Sequence, residues 1–183
     1  MARIDVIPFD KMTPEQRRVN DFIAGKRHGG HARGPFGIWL RNPVLAEKAA
    51  NFGDYVRDEL SIDRALAELA ILAIARHYDA QYEWFAHERH ARAAGIDDAI
   101  IEAIRNGKTP ELADEKMAAT YAITKEVLEN KAVSEATYRR VLDALGETQT
   151  VELATTIGFY AMVAMMLVTF LVDVPEGPDP LPV

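Results

Sequence analysis

The apolar positions of this chain recur at helical spacing almost from end to end. Thr13-Pro14-Glu15-Gln16 supplies a capping residue, a proline at the first helical position and a glutamine two further on. That pattern predicts a helix from there to Ala24. Gly25 to Pro35 reads as a loop, and Phe36 to Arg41 as a short apolar turn of helix. Asn42-Pro43 opens the next helix, with Leu45, Ala49, Phe52 and Val56 on one stripe. Ser61 is predicted to cap a helix ending near His77, and Asp79 to cap another that Gly95 ends. Asp97 to Asn106, Asp114 to Asn130, Ser134 to Leu145 and Thr148 to Leu171 complete the series. The tail PEGPDPLPV has four prolines in nine residues and cannot be helical. No alternating apolar run is bounded by hairpin-turn residues, so no strand is predicted. The reading is all-α, a single-domain helical bundle. It divides into an N-terminal helix and loop (1–29), a main domain (30–175) and a proline-rich tail (176–183).

Two stretches depart from the amphipathic pattern. Leu153 to Val172 is 20 residues without a charge, long enough to cross a bilayer. Thr155, Thr156, Tyr160 and Thr169 dilute it, Glu152 and Asp173 flank it, and no Lys or Arg follows it. It therefore reads as a core or subunit-interface helix, and no membrane partner is expected. The other stretch is Ala65 to Ala75, where every residue is apolar except Glu68. A helix this apolar is surrounded by protein, and an ionised carboxylate on it is costly unless paired.

Composition narrows the function classes. A length of 183 residues suits one domain, and a 49% hydrophobic, 27% charged chain is ordinarily globular. A net charge of −7 leaves no broad basic surface, so no nucleic-acid partner is expected. There is no cysteine, which removes disulfides, thiolate metal sites and any cysteine nucleophile. The opening MARIDVIPFD carries Arg3, Asp5 and Asp10 and no apolar signal core, which makes a cytoplasmic location the expectation.

Candidate chemistry gathers around Glu68. If the helices on either side of His77–Tyr78 form an antiparallel hairpin, facing residues have numbers summing to about 155, since a tight turn pairs positions symmetrically. Glu68 then faces His87. Glu83, His87 and His90 lie at i, i+4 and i+7 on one stripe. Two acids and an imidazole would converge in an apolar setting. A carboxylate bonded to an imidazole fixes its tautomer, and the pair can relay a proton. The same pair also reads as a structural bridge locking two helices, or Glu83, His87 and His90 as metal ligands. The loop from Lys26 to Gly34 holds Arg27 and Arg33, which can clamp a carboxylate, and Tyr82 and Trp84 flank the acid–base stripe. Aromatics so spaced also serve as plain core.

The segment from Glu68 to Ile96, E-L-A-I-L-x-I-A-R-x-x-x-A-Q-Y-E-W-x-x-H-x-x-x-A-x-x-A-G-I, resembles the carboxymuconolactone decarboxylase family, which includes the alkylhydroperoxidase-D-like proteins. Gly34-Pro35-Phe36, Asn42 to Ala46 and Gly158-Phe159-Tyr160 extend the resemblance over residues 30–175. It implies an alkylhydroperoxidase-D-like helical fold assembled as a trimer or hexamer, with the active site at or near subunit interfaces. Peroxidase members carry a Glu, a C-x-x-C and a His. The Glu and His fall on Glu68 and His87, and the cysteines on Ala80 and Glu83, which leaves dithiol peroxidase chemistry without its thiols. Decarboxylase members lack the cysteine pair and carry Glu and His where Glu83 and His87 stand. The resemblance implies cofactor-independent acid–base decarboxylation or proton transfer on a small anionic lactone or keto acid. His87 would move the proton, Glu68 orient it and Glu83 be a second acid. Arg27, Arg33, Tyr82, Trp84 and His90 would shape the substrate site. A non-catalytic oligomeric protein on the same scaffold is the alternative.

Overall fold

A computed structural model describes residues 2–26, 30–175, 177 and 180–182. Among them there are eight α-helices, a short 3-10 turn at Phe9–Lys11 and no strand. The helices are α1 (Pro14–Lys26), α2 (Pro35–Trp39), α3 (Pro43–Asp58), α4 (Arg64–His77), α5 (Gln81–Ala93), α6 (Asp98–Arg105), α7 (Glu115–Asn130) and α8 (Glu135–Phe170). The all-α, single-domain reading holds.

Helix α4 is the hub, and α5, α6, α7 and α8 pack around it. Every residue from Leu66 to Ala75 is buried. Leu69, Leu72 and Ala75 face one apolar cluster with Trp84, Ala91, Ile101 and Ile104. Ala70, Ile71 and Ile74 face the larger cluster, with Ala50, Leu153, Val163 and Leu167. Each buried Leu or Ile contributes about 1.5–3 kcal/mol, so an eleven-residue apolar helix has no stable position except between two layers.

Local chemistry sets the boundaries. The Asn42 side chain accepts from the Leu45 N–H at 3.2 Å and caps α3. The cap of α4 is Asp63, accepting from Ala65 N–H at 2.8 Å, rather than Ser61, whose hydroxyl instead donates to Glu152 on α8. The cap position of α5 is Ala80 rather than Asp79. Asp79 adopts φ 51° in the turn, and its carboxylate pairs with Arg76. This αL residue makes the tight reversal that glycine usually supplies. Gly146 (φ 77°) breaks α8 in two where the sequence pattern ends one helix and starts another. Gly53 on α3 lies against Phe159 of α8, and a Cβ there would stand 2.8 Å from the Phe159 Cζ atom.

The second part of α8, the uncharged stretch, is a core helix on one side. Leu153, Ile157, Tyr160, Val163 and Leu167 are buried, whereas Val151, Met162 and Met165 are exposed. By length and composition alone α8 is apolar enough to cross a membrane. At the C-terminal end, the Gln81 side chain both donates to and accepts from the Leu181 backbone (3.1 and 2.8 Å), and Leu181 packs into the Trp84 cluster.

Candidate active site

The hairpin of α4 and α5 brings Glu68 against His87. The His87 Nδ1 lies 2.8 Å from the Glu68 Oε2, and the Glu68 side chain has no solvent exposure. An ionised Glu68 makes Nδ1 the protonated nitrogen, donating to Oε2, so Nε2 keeps its lone pair. The other carboxylate oxygen faces Arg64, one helical turn back, with Nη2 at 2.6 Å from Oε1. That contact is a charge contact without hydrogen-bond alignment, for Oε1 has no aligned donor. Arg64 is itself fixed by Nη1 donating to the Arg57 carbonyl at 2.9 Å. A buried carboxylate between a guanidinium and an imidazole is compensated on both sides.

Tyr160 of α8 closes the centre from a third direction. Its ring meets the His87 ring edge-on at 5.0 Å. Burial pushes its phenol well above the ordinary range, and the charge of Glu68 pushes the same way. Glu83 is 1% exposed, and neither of its carboxyl oxygens has a hydrogen-bond partner among the described residues. Burial raises its pKa well above the carboxylate range, and the nearby Glu68 charge adds to the rise. Glu68 thus has partners on both sides and Glu83 has none among the described residues, a difference of environment that suits two carboxyl groups to different roles in proton transfer.

His90 stands one turn beyond His87, ring centroids 5.8 Å apart. Burial lowers its pKa, opposed by the Glu68 charge and reinforced by His87, Arg89 and Arg64. Among the described residues no three His, Asp or Glu side chains are grouped to hold a metal ion. Glu83, His87 and His90 therefore share a stripe without converging on a point.

The remaining candidates lie apart from this centre. Arg33 and Tyr82 line a separate cleft of about 450 Å³, with Phe9, His31, Ile38 and Val172 on its walls. None of Glu68, Glu83 and His87 lines it. Tyr82 sits a helix face away from the Glu83–His87 stripe, its ring pressed on Gly34 (φ 57°), where a Cβ would stand 2.5 Å from the ring. Burial raises the Tyr82 pKa, against the charges of Arg33 and Arg89. Arg33 and Tyr82, expected to shape the substrate site, thus stand in a cleft apart from Glu68, Glu83 and His87. Trp84, expected there too, lies in the core. It is fully buried, donates from Nε1 to Glu88 at 2.9 Å and lies under the Arg105 guanidinium at 5.4 Å, as core of the α5–α6 contact. Arg27 lies outside the described residues. A second cleft of about 260 Å³, walled by Arg76, His77, Asp79, Tyr121 and Lys125, is also distant in lining from the centre.

Two residues of the centre escaped the sequence reading, Arg64 and Tyr160. Arg64 had a signal, since it stands four residues before the lone acid of an apolar helix. Tyr160 had none, because its approach depends on how α8 crosses α5.

No protein-family profile and no curated protein matches this chain. Among solved structures, an uncharacterized peroxidase-related protein from Silicibacter sp. TM1040 has a similar fold. Its TM-score is 0.75, over 94% of this chain and 91% of that one, at 12% sequence identity. The likeness shows the all-helical fold.

Proposed function

We propose that this protein is a carboxymuconolactone-decarboxylase-like enzyme. It would carry out cofactor-independent decarboxylation or proton transfer on a small anionic lactone or keto acid. The observation that carries this reading is the buried Glu68–His87 hydrogen bond of 2.8 Å near the buried, unpartnered carboxyl of Glu83. In decarboxylation the C–C bond to the carboxylate breaks and its electron pair passes into the conjugated carbonyl. CO₂ leaves, and the carbanion-like carbon takes a proton. His87 takes up a proton at Nε2 from solvent and, as an imidazolium stabilised by Glu68, gives it to that carbon, with Glu83 a second acid near the pair. Thiol-dependent peroxide reduction has no nucleophile in a chain without cysteine.

The enzyme would act in the cytoplasm as a homo-oligomer, a trimer or hexamer. Support comes from the exposed apolar face of α8 (Val151, Met162, Met165), together with Phe52 and Tyr55 of α3. A scaffold role without catalysis is favoured by one observation, that neither of the two clefts reaches His87.

The test is CO₂ release from γ-carboxymuconolactone and a panel of carboxylated lactones and β-keto acids, with His87→Ala and Glu68→Gln beside the wild type. Release that falls by about 10²–10⁴-fold in the variants supports the relay. Release that survives both within about tenfold refutes the assignment, and no release from any compound favours the scaffold role.

A further inference from the structure

The opening segment of the chain is strapped across the bundle, away from the Glu68–His87 centre. The Arg3 N–H donates to the Phe170 carbonyl and its guanidinium to the Thr169 carbonyl, each at 2.8 Å, at the end of α8. Arg41 holds the Asp5 carbonyl at 2.5 Å, and Arg17 the Asp10 carbonyl at 3.1 Å. Residues of this strap form one wall of the cleft of about 450 Å³; α2, the start of α5 and the chain beyond α8 form the other. The volume is that of a small-molecule pocket, for which roughly 300–1,000 Å³ is usual. The walls are mostly apolar. Ile4, Ile7, Ile38 and Val172 line them, and so do Val6 and Phe9, which are 50% and 43% exposed. Covering such surface is favourable in proportion to its area. The donors stand together. Tyr82 is held by the close fit of its ring to Gly34, and its hydroxyl has no hydrogen-bond partner among the described residues. The Arg33 guanidinium has no ion pair or hydrogen bond among them either. The charges felt at the Tyr82 hydroxyl are those of Arg33 and of Arg89, which does not line the cleft; no carboxylate of the described residues is among them. Two acids line the cleft as well: Asp173 accepts the Ala2 N–H at 3.3 Å, and Asp5 lies exposed on the strap.

We propose that this cleft is a second binding site, for a small apolar monocarboxylate whose carboxylate sits on the Arg33 guanidinium and the Tyr82 hydroxyl and whose hydrocarbon lies along the strap. A guanidinium takes a carboxylate through two parallel N–H donors, and the phenol adds an O–H donor beside them. Asp5 and Asp173 repel a second carboxylate, so the ligand is a monoacid with an apolar body. The site stands independently of the acid–base reading, since none of Glu68, Glu83 and His87 lines it. A ligand there ties the strap to α2 and α5, and occupancy adds to the stability of the folded chain.

The probe is octanoate, with octanamide, octylamine and acetate as controls. Calorimetry reads the affinity, and the ring NMR signals of His31, which packs on Phe9 with ring centroids 5.8 Å apart, read the place. The expected result is saturable octanoate binding with a negative heat-capacity change, the mark of apolar burial. It moves the His31 signals and leaves those of His87 in place. Arg33→Gln weakens it about tenfold, the loss of one charge-assisted hydrogen bond, and Arg89→Gln weakens it less. Phe9→Ala weakens it too, and Asp5→Asn does not. Arg33, Phe9 and Asp5 are all exposed, so these variants leave the core intact. Octanamide binds less tightly than octanoate, and octylamine and acetate do not bind at about 10 mM. No octanoate binding at that concentration, or affinity unchanged in Arg33→Gln or in Phe9→Ala, overturns the site. So does acetate or octylamine matching octanoate, or movement of the His87 signals in place of those of His31.

Discussion

Replacing Glu83 by Gln should abolish the pH dependence of stability that this residue imposes. Glu83 is buried without a hydrogen-bond partner and with Glu68 nearby, so its folded pKa lies well above the ordinary carboxylate range. In the unfolded chain it titrates near the usual value. Above that value the unfolded state has released a proton that the native state still holds. The unfolded state then binds fewer protons, so stability falls as pH rises. The slope is about 1.4 kcal/mol for each pH unit, until the native carboxyl itself titrates and the curve levels. Glutamine has the same shape and no charge to bury, so this dependence vanishes in the variant. Urea unfolding followed by circular dichroism, from acid to neutral pH, gives both curves. All other groups are common to the two proteins, so their difference isolates Glu83. The variant should gain on wild type steadily as pH rises from the ordinary carboxylate range. Parallel curves, or a wild type that gains with pH, would show that Glu83 is ionised in the fold. They would remove Glu83 as an acid from the mechanism.

Gly53→Ala should place a methyl 2.8 Å from the Phe159 ring and cost about 1–3 kcal/mol, the usual range for an overpacked core. Because Phe159 meets Tyr160 edge-on at 5.2 Å and Tyr160 meets His87, thermal melts should fall while the His87 ring signals shift. Signals unmoved beside a lowered melting temperature would mean that α3 gives way instead. Charging the exposed α8 face with Met162→Glu and Met165→Glu should turn the proposed oligomer into monomers, measured as mass by light scattering; a wild type that is already monomeric, or an unchanged oligomer mass, would refute this face as the interface.

The helices were legible because apolar spacing and caps agree over most of the chain. The pairing of Glu68 with His87 was legible for a geometric reason, since a short antiparallel hairpin fixes which residues face each other once its turn is placed. The cap residues were less so. Ser61 and Asp63 both have capping side chains, and only the packing of α4 against α8, which draws the Ser61 hydroxyl to Glu152, selects Asp63. Tyr82 and Trp84 look equivalent to Glu83 in a list of neighbours, yet successive helix positions turn by 100°. Tyr82 goes to another cleft and Trp84 into the core. Whether Arg33 reached His87 depended on a loop whose course no periodicity encodes. Tyr160 depended on the crossing of two helices far apart in sequence.

The break at Gly146 also makes the molecule modular. Its backbone is exposed, its φ of 77° bends the chain away from the helix axis, and nothing lies within 4 Å of where a side chain would begin. Its carbonyl accepts from the Thr150 hydroxyl at 2.7 Å, so the second half of α8 begins with its own anchor. Residues added between Leu145 and Gly146 would leave that anchor, and with it the placement of Tyr160 over His87, where they are. Exposed joints of this kind are where chains accept grafts. An engineer who wished to fuse a fluorescent reporter into the interior of this sequence, or to divide the gene into two co-expressed fragments, would cut there.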